Sequence, residues 1–262
     1  MTTATYLYCV LKRARVPPLA RVPPGMPGGA RPRAIEVPHR PAGLWLIVSD
    51  VPLDLYGSES INANLQDMEW VSVRAMAHEA VVEFCSRAGD VVPMKLFTLF
   101  RDDARAIANV EGAGNLAAIF KRIGGAAEWS VRVTCARSAS AGAQPASPGR
   151  RRASARGSAA SGTSFLLRKK ADRDQARTAV AEARRAVEDV HRRLSRLARA
   201  SVRKEGDAEG TSLMLDAAFL VPRKREQSFR REVERLAAGA GRAGCEMVLS
   251  GPWPAYHFVA ER

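Results

Sequence analysis

Residues 137–160 contain only Ser, Ala, Gly, Pro, Gln and Arg, 24 consecutive positions in a chain of 262. None of these side chains can anchor a core, and low hydrophobicity with unbalanced charge is the signature of a chain that stays unfolded. This stretch constrains the fold more than any other feature, because no single core can be built through it. The expected organisation is an N-terminal domain over 1–136, a disordered Arg/Ser/Ala linker over 137–160, and a C-terminal domain over 161–262. As a flexible coil the linker would span roughly 25–30 Å.

Within the first domain, Tyr6–Lys12 (YLYCVLK) reads as a short buried strand. Eight prolines then fall among residues 13–42. Proline fixes φ and removes a ladder donor, so this stretch is expected to be an extended insert that does not pair in a sheet. Gly43–Val48 (GLWLIV) resumes the sheet. A helical region is expected from about Asn62 to Ala88, a strand over Val91–Phe100, helices opening at Arg101-Asp102-Asp103 and over Asn115–Ile123, and a strand over Glu128–Cys135, which alternates with period two.

Beyond the linker a long helix is expected to run to about Lys204. Ala176, Val180, Ala183, Val187, Val190, Leu194 and Leu197 alternate by four and three, an unbroken apolar stripe. The early stripe is Ala and Val, which bury little area, so it suits packing on its own sheet better than a free-standing coiled coil. Thr211–Val221 and Cys245–Leu249 read as strands, Arg223–Ala240 as a helix, and 250–259 as a short final strand. The fold class is α+β: two α+β domains, the second ferredoxin-like.

The net charge is +14. The excess sits in the Pro-rich insert, the linker and the long helix, whereas residues 42–136 carry eight basic and twelve acidic groups. The Arg-rich tracts contain no interleaved aromatics, and no recognition helix or zinc finger is present, so no specific nucleic acid is expected as a partner. No apolar run approaches the 18 or so residues of a membrane-spanning helix, and the N-terminus lacks a secretory pattern; no membrane association is expected and the cytoplasm is the default compartment. Cys9, Cys85, Cys135 and Cys245 form no CxxC pair and are expected to be free thiols.

Motifs that carry chemistry are sparse. There is no phosphate-binding P-loop and no nucleophile elbow. Gly112–Ala117 fits G-x-G-x-x-A but follows a helix, not a strand. His78-Glu79 resembles the start of a zinc-protease H-E-x-x-H, but Val82 stands where the second His belongs. As an acid/base pair, His78 and Glu79 would need a cleft and a positioned partner. Asp102-Asp103 and Glu188-Asp189 are neighbours on helices, diverge by about 100°, and cannot clasp one substrate; they are expected to be solvated. No cofactor, metal site or catalytic residue is expected.

Several segments together resemble the gas vesicle protein F/L family (GvpF/GvpL). YLYCVL at Tyr6–Leu11 resembles its opening Tyr-x-Tyr strand. Trp70 followed by Ala77-His78-Glu79 resembles its Trp…a-x-H-E helix. Val92–Phe100 (VPMKLFTLF) resembles its Pro-[apolar]-Arg-Phe-Gly-Thr-[apolar]-Phe strand, with Lys95-Leu96-Phe97 replacing Arg-Phe-Gly. Gly162–Lys169 and Ala217–Val221 resemble its second-half motifs. Gly251–Phe258 (GPWPAYHF) resembles its terminal Gly-Pro-Trp-Pro-Pro-Tyr-x-Phe, with Ala255 for the second proline. The matches keep their order along both halves of the chain.

The resemblance implies a non-enzymatic accessory or minor structural component of gas vesicles, localised to gas vesicle and cytoplasm. It would bind the small hydrophobic shell protein and other gas vesicle accessory proteins, and prevent shell-protein aggregation during nucleation and assembly. Candidate structural or partner-binding residues are Trp70, His78, Glu79, Pro93, Phe97, Phe100, Trp253, Tyr256 and Phe258. The competing expectation is a basic adaptor that binds nucleic acid or another acidic polymer through the Arg-rich linker and the long helix, with a steep salt dependence.

Overall fold

A computed structural model describes residues 2–38, 43–135, 160–204, 213–242 and 244–259. The chain is α+β with two antiparallel sheets. It divides into two compact units. Unit 1 comprises Met1–Trp129, Leu220–Lys224 and Ser250–Arg262; unit 2 comprises Ser130–Phe219 and Arg225–Leu249. The division is therefore not linear: residues 250–259, read from sequence as part of the second domain, belong to unit 1. The expected linker, 137–160, lies outside the described residues except for residue 160, which begins a helix.

Unit 1 is organised on β1 (Thr3–Lys12), whose eight central residues are all buried. A strand covered on both faces reads as a continuous apolar run, which YLYCVLK is. β1 pairs antiparallel with β3 (Leu44–Pro52), β4 (Asp90–Pro93) and the two-residue β5 (Leu99–Phe100). The register shifts between Leu7 and Cys9. That bulge explains the core membership of the strand: Ala4, Tyr6 and Tyr8 are followed in the same cluster by Cys9 and Leu11, a slip of one residue.

Two expectations for this half are corrected. The Pro-rich insert does pair: β2 (Arg33–Glu36) runs antiparallel to β3 from Arg33↔Val48 to Glu36↔Trp45, making the order β2-β3-β1-β4. Its prolines flank the proline-free run 33–37, so no ladder donor is lost. Val22, Met26 and Val37 are buried, and the Met26 amide donates to Tyr8 Oη at 2.8 Å. Second, Val91–Phe100 is not one strand, because residues 94–98 turn between β4 and β5.

The helical region is split. α1 (Leu53–Tyr56) and α2 (Ser58–Asn64) precede α3 (Met68–Ser86). Asp67 caps α3 by accepting from the Glu69 and Trp70 amides, which sets its start. α4 (Asp103–Gly112) is capped by Asp102, α5 spans Leu116–Ile123, and β6 runs Ala126–Cys135.

In unit 2 the long helix α6 (Ala160–Ser195) ends before Lys204, and Ala200–Arg203 is a strand, β7. β8 (Leu213–Pro222), α7 (Glu226–Arg242) and β9 (Cys245–Trp253) follow, with strand order β7-β8-β6-β9. Val187, Val190 and Leu194 of the α6 stripe are buried, while Val180 is exposed. Phe219 packs at 5.5 Å from Phe229 and 5.6 Å from His191. Cys135 and Cys245 are joined in a disulfide, with Cα atoms 3.9 Å apart. This corrects the expectation of four free thiols: β6 and β9 are sheet neighbours, which brings together residues 110 apart in sequence. Cys9 and Cys85 are free and buried. The last element, α8 (Tyr256–Val259), is a helical turn where a strand was expected.

Candidate functional site

The Tyr-x-Tyr of β1 sets the polar interior of unit 1. The Phe97 amide donates to Tyr6 Oη at 3.3 Å, and Tyr6 Oη lies 2.7 Å from His78 Nδ1. Burial lowers the His78 pKa from 6.5 to about 4, with the Met94 backbone acting weakly the other way. His78 is therefore neutral. The imidazole tautomer sets which of Tyr6 Oη and His78 Nδ1 donates, and Nε2 is buried without a hydrogen-bond partner. Tyr8 Oη pairs with Ser49 Oγ at 2.8 Å. Burial raises the pKa of both tyrosines. The imidazole sits 5.7 Å from each tyrosine ring.

Four residues, Thr5, Arg33, Asp50 and Asp103, form a second polar cluster. Asp103, expected to be solvated, accepts from Thr5 Oγ1 at 2.8 Å and from both terminal nitrogens of Arg33 at 2.8 and 2.9 Å. Arg33 Nη2 also reaches Asp50 at 2.7 Å. The guanidinium holds the Asp103 carboxyl below the usual range. β2, β3, β1 and α4 are thereby tied at one point.

The terminal segment is fastened by two carboxylates. Tyr256 Oη donates to Glu79 Oε2 at 2.5 Å, and burial raises the Glu79 pKa. Buried Glu128 accepts from the His257 amide at 2.9 Å and lies 2.6 Å from His257 Nδ1. Phe258, Pro254 and Ala255 are buried, and Trp253 is partly exposed. Gly251 is required: its φ is +125°, and a Cβ there would lie 2.9 Å from the Glu128 carbonyl oxygen. The Gly251–Pro252 peptide is cis. Pro93 pairs with Cys9 at the end of β4.

A separate part of unit 1 is open. An apolar groove of about 610 Å³ is lined by Leu53, Tyr56 and Ile61 on one side and by Phe97, Leu99 and Phe100 on the other. Phe97 holds φ +63°. Its ring lies 5.5 Å from that of Trp70, and the Arg74 guanidinium lies 3.7 Å over Trp70 and 5.5 Å over Tyr56. Arg74 is buried between the two rings and bonds the Trp70 carbonyl at 3.2 Å. Leu53 of the groove is exposed, and so are Leu55, Leu65, Met68, Val73 and Met76, which lie outside its lining.

The structure thus sorts the sequence-predicted residues into two groups. Phe97 and Phe100 line the groove, and Trp70 packs against Phe97 without lining it. His78, Glu79, Pro93, Tyr256 and Phe258 belong to the interior and its fastening; Trp253 lines a smaller cavity of about 90 Å³. His78 and Glu79 line neither of these cavities. Sequence reasoning missed Tyr56 and Arg74, whose spacing relative to Trp70 gives no motif, and missed Arg33, hidden among prolines. Among the described residues no cluster of His, Cys, Asp and Glu could hold a metal ion, and no helix is long and apolar enough to cross a membrane.

A family model described as "Gas vesicle synthesis protein GvpL/GvpF" matches residues 4–260. The chain is 31% identical over 238 residues to gas vesicle protein L of Streptomyces sp. (strain CB03234), covering 88% of this chain and 84% of that protein. Its fold is similar to the crystal structure of GvpF from Anabaena sp. PCC7120, with TM-score 0.66 and 13% identity over 99% of this chain and 97% of that one. GvpF from Microcystis aeruginosa is similar at TM-score 0.65 and 13% identity, over 98% and 99% of the two chains.

Proposed function

Because the chain belongs to the gas vesicle synthesis protein GvpL/GvpF family, we propose that it acts as a non-enzymatic accessory protein that binds the small apolar shell protein before it enters the vesicle wall. The observation that carries this reading is the apolar surface of unit 1: the open groove, and the exposed Leu and Met side chains of residues 53–76, most of them outside its lining. Solvent-exposed apolar surface of this kind marks a binding face. Methionine suits it, being flexible and polarizable. Covering the apolar face of a shell subunit would hold it soluble until nucleation. Other gas vesicle accessory proteins are the remaining partners, and gas vesicle and cytoplasm the sites of action. Unit 2, with α6 and α7 on a four-stranded sheet, is read as a modified ferredoxin-like domain.

A binding role also fits how the titratable groups are used. His78, Glu79, Glu128 and Asp103 are spent on internal hydrogen bonds. The basic-adaptor alternative is favoured by the exposed Arg168, Lys169, Lys170, Arg173 and Arg177 along α6. It predicts polyanion binding with a steep salt slope.

Co-expression with the small shell protein tests the main reading. The shell protein should stay in the soluble fraction and co-purify at moderate salt. Shell protein that precipitates as it does alone would refute it.

A further inference from the structure

β1 is longer than the strand that borders it on one side. β3 pairs with it down to Thr3↔Pro52, whereas β5 pairs only at Thr5↔Phe100 and Tyr6↔Leu99. Among the described residues, Thr3 and Ala4 therefore have no strand partner on the β5 side. Both line the apolar groove, together with Leu53 and Tyr56 of α1 and Ile61 of α2. A groove between a strand edge and a helical wall is the setting in which an extended segment adds to a sheet. Main-chain bonds hold such a segment, and pockets for alternate side chains select it.

The lining also fixes a charge. Arg101, which is exposed, is the one charged residue among those described that line the groove. The two acids that follow it are engaged elsewhere. Asp102 caps α4 by accepting from the Arg105 amide at 2.8 Å, and Asp103 is held by Arg33 and Thr5. An acidic group that arrives with an apolar segment meets Arg101.

We propose that the groove takes an extended, apolar segment of a partner protein that carries one carboxylate. The segment's backbone pairs with β1 at Thr3 and Ala4, its apolar side chains enter among Leu53, Ile61 and Phe100, and its carboxylate meets Arg101. The inference rests on the reading that the groove receives a partner's apolar surface, and it names the conformation and charge of the segment that enters. The bare strand edge chooses a peptide over a small amphiphile, because only a main chain can complete it. The Arg101 charge supplies register and disfavours a basic segment. A chain of net charge +14 draws an acidic segment at long range, so steering and site act in the same sense.

Labelled peptides of about nine residues, alternating Val and Ser around one central Glu, Gln or Lys, test it on the full chain by fluorescence anisotropy. At about 50 mM salt the Glu peptide should bind about fivefold tighter than the Lys peptide, with Gln between, and the ratio should fall toward one near 0.5 M. An added strand bonds the edge through alternate amides, so N-methylating one alternate set in the Glu peptide should weaken it by more than tenfold and the other set should not. Arg101→Glu should reverse the order so that the Lys peptide binds tighter, a gain that a misfolded chain cannot produce. Leu53→Ser, at an exposed position, should weaken all three peptides with an unchanged circular dichroism spectrum. Equal binding of the Glu and Lys peptides, indifference to N-methylation of either set, or binding of none of the peptides overturns the proposal. So does tight binding of decanoate where the peptides fail, which would assign the groove to a small amphiphile. Self-association that Leu53→Ser removes would place a second copy there and overturn it too. Shell protein kept in solution by both Leu53→Ser and Arg101→Glu sinks this inference while leaving the accessory reading standing; the expected peptide order with insoluble shell protein does the reverse.

Discussion

Phe97 shows how much one backbone position can hold. A non-glycine residue at φ +63° is strained by about 1 kcal/mol. The ring offsets this by stacking on Trp70 and walling the groove, contacts worth more than the strain. Phe97→Ala keeps the strain and loses the ring, so it should destabilise by about 2 kcal/mol. Phe97→Gly should recover about 1 kcal/mol of that loss. Denaturant unfolding of the two variants checks the order, and an alanine variant as stable as the glycine variant would contradict it. The resemblance already held a hint here, since the matching motif has Gly where this chain has Phe97. His78 makes a second residue-level prediction. Its folded pKa of about 4 lies below its ordinary 6.5. Below pH 6.5 the unfolded chain takes up a proton that the folded one refuses, so stability falls as pH drops from 6.5 to 4. The ceiling is about 3 kcal/mol. Glu79, with a raised pKa, works in the opposite sense. Comparing melts of wild type and His78→Gln over that window isolates the histidine: the variant should show the shallower slope.

At the scale of elements, the fastening of the terminal segment and the disulfide can be separated. Tyr256→Phe removes one charge-assisted bond to Glu79 and should cost about 1–2 kcal/mol. Gly251→Ala should cost more, because both φ and the Glu128 carbonyl oppose a Cβ. Equal, near-zero effects in unfolding titrations would mean that the segment is not held as described. In unit 2, the Cys135–Cys245 bond closes a loop of about 110 residues. Loop-closure entropy predicts about 4–5 kcal/mol. Cys135→Ser/Cys245→Ser, or a dithiol reductant, should lower the midpoint of unit 2, while tryptophan fluorescence, which reports unit 1 because all four tryptophans belong to it, changes little. What sequence conveyed at this scale was local: β1 was legible in YLYCVLK because burial on both faces writes a continuous apolar run, and α5 and β6 in their periodicities. What it hid was non-local. The pairing of 33–36 was masked by prolines that turn out to flank it. The Cys pair stood 110 residues apart. The tail 250–259 carries no local mark of the unit it joins.

Across the whole molecule, the basic excess and the apolar groove are carried by different segments. The basic excess suggested a polyanion partner, yet the groove is walled by Leu53, Tyr56, Ile61, Phe97, Leu99 and Phe100, with Arg101 its one charged lining residue among those described. Trp70, Phe97 and Phe100 were legible as site candidates through the resemblance alone. Their partners Tyr56 and Arg74 emerge only when α1, α3 and β5 are brought together by the fold. The most direct test is co-expression of the shell protein with wild type and with Met68→Asp/Met76→Asp, measuring the soluble shell fraction and its co-purification. Wild type should hold the shell protein in solution and the double variant should lose it. Shell protein that is equally insoluble with both would contradict the binding role.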